Sequence, residues 1–509
     1  MVPYWHLHIG SSRAYAQNMS IDTTQQASRP STQPTHADLA AAMDRVHTNP
    51  VSRGRTRQRL AVITEAARRS GSYVANASYR SVAPADALAG LDVFRRPLQD
   101  SPIEPREVLA ELDTFGSPAT VVSTHGRYFG FVNGGIDPAA QAASILAGTW
   151  DQNAAMPVQS PVAATLDDVA GTWVVDALGL PSSAVASFCG GATVANLTAI
   201  IAARDALYAK QGWDVARDGL VGAPALRIIL GAEAHASVYK SLRLAGFGTA
   251  HIEHVPTDET GAIRADAFPA DTGEDTLVIL QAGNVNTGAS DPFADIIPGV
   301  RERGGWVHID GAFGLWAAAS PKRRHLVAGS ELADSWTTDA HKWLNVGYDS
   351  GIVIVRDVDA LVRAMSIDAA YLATEGSPPS MNRGIQISQR ARGIETWAML
   401  ASHGKEGLAD LIDRTCDLAT RFANTLADGG VEILCTPVLN QVLVAFGDDA
   451  TTTQVIDAIQ ADGTMWAGAS EWQGRRAMRL SVSDAATTAD DVDASAIALL
   501  RAWGAVTLR

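Results

Sequence analysis

The sequence predicts an α/β fold, with a large, mostly parallel sheet that has helices on both faces and a small α+β domain at the C-terminal end. Short, unbroken apolar runs rich in Val and Ile recur between residues 227 and 355, and helix-like stretches separate several of them. Such runs are typical of strands buried on both faces of a parallel sheet. Beyond about Gly384, one long helical pattern is followed by further short strand-like runs, which indicates the smaller unit.

The strand-like runs also indicate where a ligand would bind. They are RIIL (227–230), HIEHV (251–255), TLVILQ (276–281), WVHID (306–310) and GIVIV (351–355). In parallel sheets, ligands collect at the carboxyl ends of the strands. We therefore expect the chemistry in the residues that directly follow these runs.

The same patterns predict the domains. Residues 1–36 contain a polar, Ser/Thr/Gln/Pro-rich stretch and are predicted to form a disordered tail. Helical periodicity in HADLAAAMDRVHTN and, from Pro105, in PREVLAELDTF predicts an N-terminal helical segment over 37–120. The large α/β domain is predicted over 121–383 and the small α+β domain over 384–509.

Composition narrows the function classes. The 509 residues are 47% hydrophobic and 19% charged, which allows a large core in two or three domains. A net charge of −15 argues against a nucleic-acid partner, because phosphate binding needs a basic face. Three cysteines without CxxC spacing favour a reducing cytoplasm over a disulfide framework or a structural zinc site. No apolar run reaches the length of a membrane span.

Three polar segments follow strand-like runs and are candidates for ligand contacts. SFCGGATVAN (187–196) has a glycine pair before a helical pattern, which offers backbone N–H groups to a phosphate or makes a plain tight turn. His235 follows RIIL and either stacks on a planar ligand or forms a structural hydrogen bond. QAGNVNTGASDP (281–292) is a third candidate, or a loop with Asx turns.

Two charged residues lie where the pattern predicts core. Asp310 ends WVHID, and a buried carboxylate needs a cation or hydrogen-bond donors unless it caps a helix. Lys342, in TDAHKW, is either a lysine that reaches water or an amine with a lowered pKa that forms a Schiff base. His341 beside it is a possible phosphate donor, and His308 is predicted to be a satisfied core or interface histidine.

These features together predict a cofactor. A lysine for a Schiff base, an aspartate for a pyridinium nitrogen and a phosphate-binding turn are what a protein contributes to pyridoxal phosphate chemistry. Each of them follows a predicted strand of this chain.

From about residue 60 to the end, the chain resembles the pyridoxal-phosphate-dependent group II decarboxylases, which include aromatic-L-amino-acid, tyrosine, glutamate and diaminobutyrate decarboxylases. The matching stretches are YFGFVNGG (128–135), FCGGATVAN, EAHASVYKS, QAGNVNTGASDP, WVHIDGAFGLWA, DSWTTDAHKWLNVGYDSG and RRAMRLSVSDAATT. The resemblance implies a fold-type I transferase-like enzyme. It also implies a homodimer with active sites at the subunit interface, in which the N-terminal helical segment packs.

The resemblance also implies residue roles. Lys342 would hold pyridoxal phosphate as a Schiff base, and Asp310 would pair with the pyridine nitrogen. His235 would stack on one face of the ring and Ala312 would pack against the other. The phosphate would contact Ala192, Thr193 and His341. Asp339 fits this last role poorly, because a carboxylate repels a phosphate.

In the decarboxylases of this family, a tyrosine on a loop after the lysine protonates the carbanionic intermediate. The segment DAAYLATEGSPPSMN offers Tyr371, 29 residues after Lys342 (371 − 342), and its Gly/Ser/Pro-rich end suits a gating loop. Relatives with phenylalanine at this place tend to be aldehyde synthases. The alternative is that Tyr371 packs at the base of the loop.

The substrate is predicted to be an aromatic L-amino acid, with an acidic or diamino acid as the rival. In related enzymes the segment equivalent to YFGFVNGG lines the substrate side of the pocket, which assigns Tyr128, Phe129 and Phe131 to the substrate, although such runs are often core. Arg390 and Arg392 either contact a carboxylate or brace the dimer. An aldehyde synthase or another activity on the same fold is the further alternative.

Three positions depart from the family pattern. Val194 stands where many members carry glutamate, and Gly347 and Ser350 differ from the PYDCG sequence that is frequent in bacterial members. These changes leave the lysine, aspartate and histidine intact, but they weaken any inference about the substrate.

Overall fold

The computed structural model describes residues 36–82, 84–366 and 378–508. The chain divides into two compact units, with the boundary after Arg68. The first unit contains helix α1 (His36–Thr48) and the first part of helix α2 (Pro50–Ala77). None of the described side chains of α2 is buried. The domain boundaries that the sequence suggests, after residues 36, 120 and 383, stay predictions.

The second unit is built around a seven-stranded sheet with the order β1-β7-β6-β5-β4-β2-β3. Its strands are β1 (Val185–Cys189), β2 (Arg227–Gly231), β3 (Ile252–Val255), β4 (Thr276–Gln281), β5 (Trp306–Asp310), β6 (Ser335–Asp339) and β7 (Gly351–Val355). The five neighbouring strands β6, β5, β4, β2 and β3 pair in parallel, whereas β7 is antiparallel to both β1 and β6. All five apolar runs form strands here, and the predicted mostly parallel sheet is confirmed.

Both faces of this sheet are buried. In β2, Ile229 belongs to one hydrophobic cluster, while Ile228 and Leu230 belong to another. Because successive side chains of a strand point to opposite faces, an apolar strand needs cover on both sides. Helix α5 (Pro161–Ala177) contributes to the first cluster and helix α6 (Ala192–Lys210) to the second, so the predicted helices on both faces are confirmed.

Shorter helices complete the unit around the large sheet. They are α3 (Pro105–Glu111), α4 (Pro138–Trp150), α7 (Val215–Asp218), α8 (Ala236–Leu244), α9 (Phe293–Glu302) and α10 (Val358–Met365). Most of them begin at a side chain that accepts a hydrogen bond from a free backbone N–H group, such as Asp137 before α4 and Asp357 before α10. Helix α6 begins instead at Gly191, without a side-chain cap.

The C-terminal part forms a second, smaller sheet with the order β10-β11-β9-β8. Its elements are α11 (Gly393–Asp428), β8 (Glu432–Cys435), β9 (Gln441–Ala445), α12 (Asp449–Asp462), β10 (Gly468–Trp472), β11 (Arg475–Ser481) and α13 (Ala489–Thr507). The predicted long helix is α11, which bends at Gly404, a residue with φ of 60°. This part is α+β, as the sequence predicts, and most of one hydrophobic cluster lies in it. No helix among the described residues has the length and apolar character to cross a membrane.

Candidate active site

The candidate residues meet at the carboxyl ends of the parallel strands. Asp310 is the last residue of β5 and Asp339 the last residue of β6, which is paired in parallel with β5. Lys342 follows β6 directly, and His235 follows β2. The charges of Asp310, Lys342 and Asp339 all act on His235. The strand topology therefore brings the predicted residues to one edge of the sheet.

Both carboxylate oxygens of Asp310 accept hydrogen bonds. Oδ1 accepts from the backbone N–H of Ala312 at 3.2 Å, and Oδ2 accepts from Nδ2 of Asn196 at 3.1 Å. Asp310 is 4% exposed. The two donors hold the carboxyl group of Asp310 in one orientation at the strand end.

Lys342 has a carboxylate partner. Its Nζ lies 3.2 Å from Oδ2 of Asp339, and its side chain is 20% exposed. Asp339 is 1% exposed, and its other oxygen, Oδ1, has no hydrogen-bond partner among the described residues. Lys342 is therefore neither a lysine that reaches freely into water nor a buried charge without a partner.

The backbone around Lys342 is tightly packed. A Cβ atom placed on Gly134 would lie 1.5 Å from the carbonyl oxygen of Lys342, so only glycine fits there. The next residue, Trp343, is buried and donates from Nε1 to Oγ1 of Thr415 in α11 at 2.8 Å. Gly134 and Trp343 thus fix the position of the lysine backbone.

His235 forms the amino-terminal cap of α8. Its Nδ1 accepts from the backbone N–H of Ser237 at 3.2 Å, so the ring proton of the neutral form is on Nε2. Part of the side chain is open to solvent, yet the surrounding protein lowers its pKa by desolvation. His235 therefore forms the structural hydrogen bond that the sequence suggests, and its ring can still stack on a planar ligand.

The start of α6 and His341 form a pocket edge suited to an anion. Gly191 has φ of 137°, and a Cβ atom on it would lie 3.3 Å from Cε1 of His341. The backbone N–H of Ser350 donates to Nδ1 of His341 at 3.1 Å, which leaves a proton on Nε2 to be donated. Burial lowers the pKa of His341, although Asp339 acts in the opposite direction. The uncapped helix adds free N–H groups and the positive end of its dipole.

The aromatic run predicted to contact substrate divides into three environments. Tyr128 is buried and stacks on Trp466 with ring centroids 5.2 Å apart, and burial raises its pKa to about 12. Phe131 is 64% exposed and lies against the same tryptophan at 5.3 Å. Phe129 has no exposed surface and packs against Phe422 in the core of the C-terminal part. Phe129 is therefore a core residue, and its assignment to the substrate is corrected.

Arg390 and Arg392 each have a carboxylate partner. Arg390 forms an ion pair with Glu395, and Arg392 with Asp349 at 3.1 Å. Both guanidinium groups are thus already neutralised by carboxylates of the same chain. Tyr371 lies outside the described residues.

Two residues of the site were not singled out in the sequence. Asn196 stands in the quoted stretch ATVAN, but its contact with Asp310 spans 114 positions. Arg479, in β11, donates from Nη1 to the carbonyl of Val285 at 3.2 Å and forms no ion pair within the described part of the chain. Burial lowers the pKa of Arg479 to about 10, and its charge acts on His235. Arg479 could have been found in the sequence, because it is a charged residue in the otherwise apolar run AMRLSV.

Comparison with known proteins identifies the family. The model of the pyridoxal-dependent decarboxylase conserved domain matches residues 97–447. The chain belongs to this family. The resemblance described above, the decarboxylase class and the pyridoxal phosphate cofactor are thereby confirmed.

Two relatives with known names illustrate the range of the family. An L-2,4-diaminobutyrate decarboxylase of Acinetobacter baumannii is 27% identical over 63% of this chain and 67% of its own length. An L-tyrosine/L-DOPA decarboxylase of Lophophora williamsii is 27% identical over 60% of this chain and 61% of its own length. Aldehyde synthases also occur among the relatives of this decarboxylase.

The fold is that of solved members of the family. The structure of Oryza sativa TDC with PLP and tryptamine superposes with a TM-score of 0.81 at 21% identity, over 87% of this chain and 97% of that chain. This agreement confirms the predicted fold-type I architecture.

The residues of this decarboxylase fit pyridoxal phosphate. The uncapped start of α6 and the Nε2 proton of His341 match a phosphate, and both lie at the same glycine turn. Thr338 Oγ1 and Ser350 Oγ are buried nearby in β6 and beside β7 without a partner among the described residues. A lysine amine and an ionised carboxylate at the neighbouring strand ends match the aldehyde and the ring nitrogen.

Proposed function

We propose that this chain converts an L-amino acid, preferably an aromatic one, to the corresponding amine and carbon dioxide, with pyridoxal phosphate bound at Lys342. The observation that supports this most directly is the shared edge of the sheet, where the charges of Lys342 and Asp310 both act on His235. The family match extends through all three residues.

The family resemblance and the shared sheet edge support these roles for the chain's own residues. Lys342 would be the amine that bonds to the cofactor, and the start of α6 together with His341 would bind the phosphate. Asp310 would hold a proton on the ring nitrogen, and His235 and Ala312 would cover the ring. When bound, pyridoxal phosphate supplies an electron sink for the electrons that remain on Cα after carbon dioxide leaves.

Arg479 is proposed to contact the substrate carboxylate. It is a cation without a carboxylate partner in the described part of the chain, and its charge reaches His235. An arginine fork binds a carboxylate through two parallel hydrogen bonds, which would orient the bond that breaks. Arg390 and Arg392 suit this role less well, because each already has such a partner.

The proton that Cα receives after carbon dioxide leaves is proposed to come from Tyr371. A tyrosine hydroxyl near a carbanion is a suitable general acid. If this proton is not delivered, the reaction with oxygen that characterises aldehyde synthases competes, and that outcome is the alternative function for this chain.

An aromatic substrate is favoured by the side chains around the site. Tyr128 and Phe131 both contact Trp466, which makes a compact aromatic group. Tyr348 lies with its ring 4.3 Å from that of His341 and donates to Oδ1 of Asn133 at 2.6 Å. Aromatic rings recognise other rings by edge-to-face and offset contacts, whereas an acidic substrate would need a further cation.

A homodimer is part of the proposal. Apolar side chains are exposed on both units, including Leu39, Met43 and Val51 before Arg68 and Ile145, Leu146 and Trp150 on α4. These side chains would be covered if they lay in an interface between two copies of the chain. The cytoplasmic location stays a prediction.

The function is tested by incubating the purified protein with pyridoxal phosphate and a panel of aromatic, acidic and diamino L-amino acids. We expect carbon dioxide and a stable amine in equal amounts, with the highest kcat/KM for an aromatic substrate. Ammonia and hydrogen peroxide instead of the amine would assign the chain to the aldehyde synthases.

The matched control is Lys342→Ala, which should lose both turnover and the absorbance band of covalently bound cofactor. A persistent band would mean that another lysine binds the cofactor. Release of carbon dioxide from none of the substrates would refute the proposed reaction.

A further inference from the structure

A line of buried polar side chains runs through the sheet to Asp310. Trp306 and His308 lie on β5, Ser335 on β6 and Asn196 on α6, and none is more than 5% exposed. The successive distances are 3.0 Å from Trp306 Nε1 to Ser335 Oγ, 2.9 Å from Ser335 Oγ to His308 Nδ1, 3.0 Å from His308 Nε2 to Asn196 Oδ1, and 3.1 Å from Asn196 Nδ2 to Asp310 Oδ2. We call these four residues the donor chain.

The chemistry of its two ends fixes the direction of every hydrogen bond. The carboxylate of Asp310 can only accept, so Nδ2 of Asn196 donates to it and Oδ1 of Asn196 accepts from Nε2 of His308. A neutral His308 then has no proton on Nδ1, which accepts from the hydroxyl of Ser335. The indole N–H of Trp306 can only donate, and it donates to Ser335 Oγ.

The direction is maintained across the working pH range. Complete burial lowers the pKa of His308 to about 4, so the ring stays neutral and keeps a single proton on Nε2. None of the four side chains has a buried polar atom without a partner. A fully satisfied buried network holds its members in one arrangement, whereas an incomplete one is costly.

The location of the donor chain explains why it ends at the site. Trp306, His308 and Asp310 alternate along β5 and therefore share the face of the sheet that α6 covers. In a strand that is buried on both faces, apolar residues would pack at no desolvation cost. Polar residues at these positions need a reason beyond folding.

We propose that the donor chain is a positioning device for Asp310: Asn196, locked by His308, Ser335 and Trp306, holds Oδ2 of Asp310 as an ionised acceptor in a single orientation, and this sets the preference of the enzyme for a ring nitrogen that carries a proton. The inference rests on the proposed function, in which Asp310 meets that nitrogen. The four residues contact neither the substrate nor the cofactor in this assignment.

The test compares two ligands in the full-length protein after removal of its cofactor. One is pyridoxal phosphate, and the other is its deaza analogue, in which a C–H group replaces the ring nitrogen. The wild-type protein should bind pyridoxal phosphate more tightly, because only this ligand pairs with the Asp310 carboxylate. The ratio is the dissociation constant of the deaza analogue divided by that of pyridoxal phosphate. In Asn196→Leu this ratio should fall about tenfold, since a hydrogen bond to a charged group is lost.

The control is Thr198→Val on the same helix. This change removes a buried hydroxyl whose hydrogen bond, among the described residues, is to the carbonyl of Val194. It should leave the ratio unchanged. Ser335→Ala, a smaller change farther from Asp310, should lower the ratio in the same direction but less. This variant also carries the test if Asn196→Leu does not fold.

The possible outcomes separate this inference from the proposed function. A wild-type protein that binds the two ligands equally well would contradict the placement of Asp310 at the ring nitrogen. A wild-type preference that both Asn196→Leu and Ser335→Ala retain would overturn the role of the donor chain alone. A loss of affinity for both ligands by the same factor would show a purely structural role and would also overturn it.

Discussion

At the scale of single residues, Asp339 is the carboxylate partner of Lys342. Its Oδ2 lies 3.2 Å from the lysine Nζ. The amine must leave this contact before it can bond to an aldehyde. Asp339 also lies beside the glycine turn, with Oδ1 3.8 Å from a Cβ atom placed on Gly191, where a phosphate would meet a like charge.

Asp339→Asn should therefore bind pyridoxal phosphate several-fold more tightly than the wild-type protein, because the amide neither forms an ion pair with the lysine amine nor repels a phosphate. Titration of both proteins with the cofactor, followed by absorbance, measures the two affinities.

Asp334→Asn is the matched control, because Asp334 precedes β6 at its other end and pairs with Arg301 at 3.0 Å. This variant should not alter cofactor affinity. Weaker cofactor binding by Asp339→Asn would mean that its carboxylate helps to hold the site rather than opposing the ligand.

At the scale of elements, Asp167 connects α5 to the start of α11. Its Oδ1 accepts from the backbone N–H of Gly393 at 3.0 Å, and its Oδ2 accepts from Ser380 Oγ at 3.4 Å. Burial raises the pKa of Asp167 to about 7, although Arg383 nearby acts in the opposite direction. The folded protein thus keeps a proton on Asp167 that the unfolded chain releases near its ordinary value of about 3.9.

The sign of the pH effect follows from this difference. Between about pH 4 and pH 7 the folded state binds more protons at Asp167 than the unfolded state, so the contribution of this group to stability falls as pH rises and is constant above pH 7. Asp167→Asn has no such proton. The free energy of unfolding of this variant, taken relative to that of the wild type, should therefore rise by a few kcal/mol from about pH 5 to about pH 8.

Urea unfolding of both proteins at the two pH values measures this change. Asp168→Asn is the control, because Asp168 is half-exposed and pairs with Arg383 at 2.8 Å. A stability difference between wild type and Asp167→Asn that is the same at both pH values would show that Asp167 is ionised throughout.

The elements also show which parts of the site a sequence can predict. Five of the seven strands of the large sheet were predicted because unbroken apolar runs have few alternatives in an α/β pattern. Asp310 was predicted because it ends one of these runs and His235 because it follows another. Lys342 was predicted because it is a lysine where the pattern indicates core. Asn196 was missed because its partner is 114 positions away, and only the packing of α6 on β5 brings the two together. Phe129 was misassigned because the run YFGF does not reveal which ring points into the core of another part of the chain.

At the scale of the whole molecule, the exposed apolar side chains of α4 are where the proposed homodimer can be tested. Ile145, Leu146 and Trp150 are 57%, 53% and 42% exposed. A net charge of −15 opposes the association of two copies, so a stable dimer needs an apolar contact that outweighs this repulsion.

Leu146→Glu should convert the protein to a monomer, because it places a further negative charge in this patch. Light scattering after size-exclusion chromatography measures the mass. The control is Val221→Glu, at a loop residue that is 94% exposed, which should keep the mass of the wild-type protein. A dimer that persists in Leu146→Glu would mean that the subunits meet on another face.

The reversed direction of β7 has a consequence for how this enzyme can be altered. Because β7 is antiparallel to its neighbours, it begins at the active-site edge, where a Cβ atom on Gly351 would lie 2.3 Å from Cα of Gly191. Because the two backbones are in such close contact, a side chain cannot be introduced at Gly351 without moving the segment around Gly191. Changes of substrate range should therefore be sought elsewhere, beginning with Phe131, whose side chain is 64% exposed.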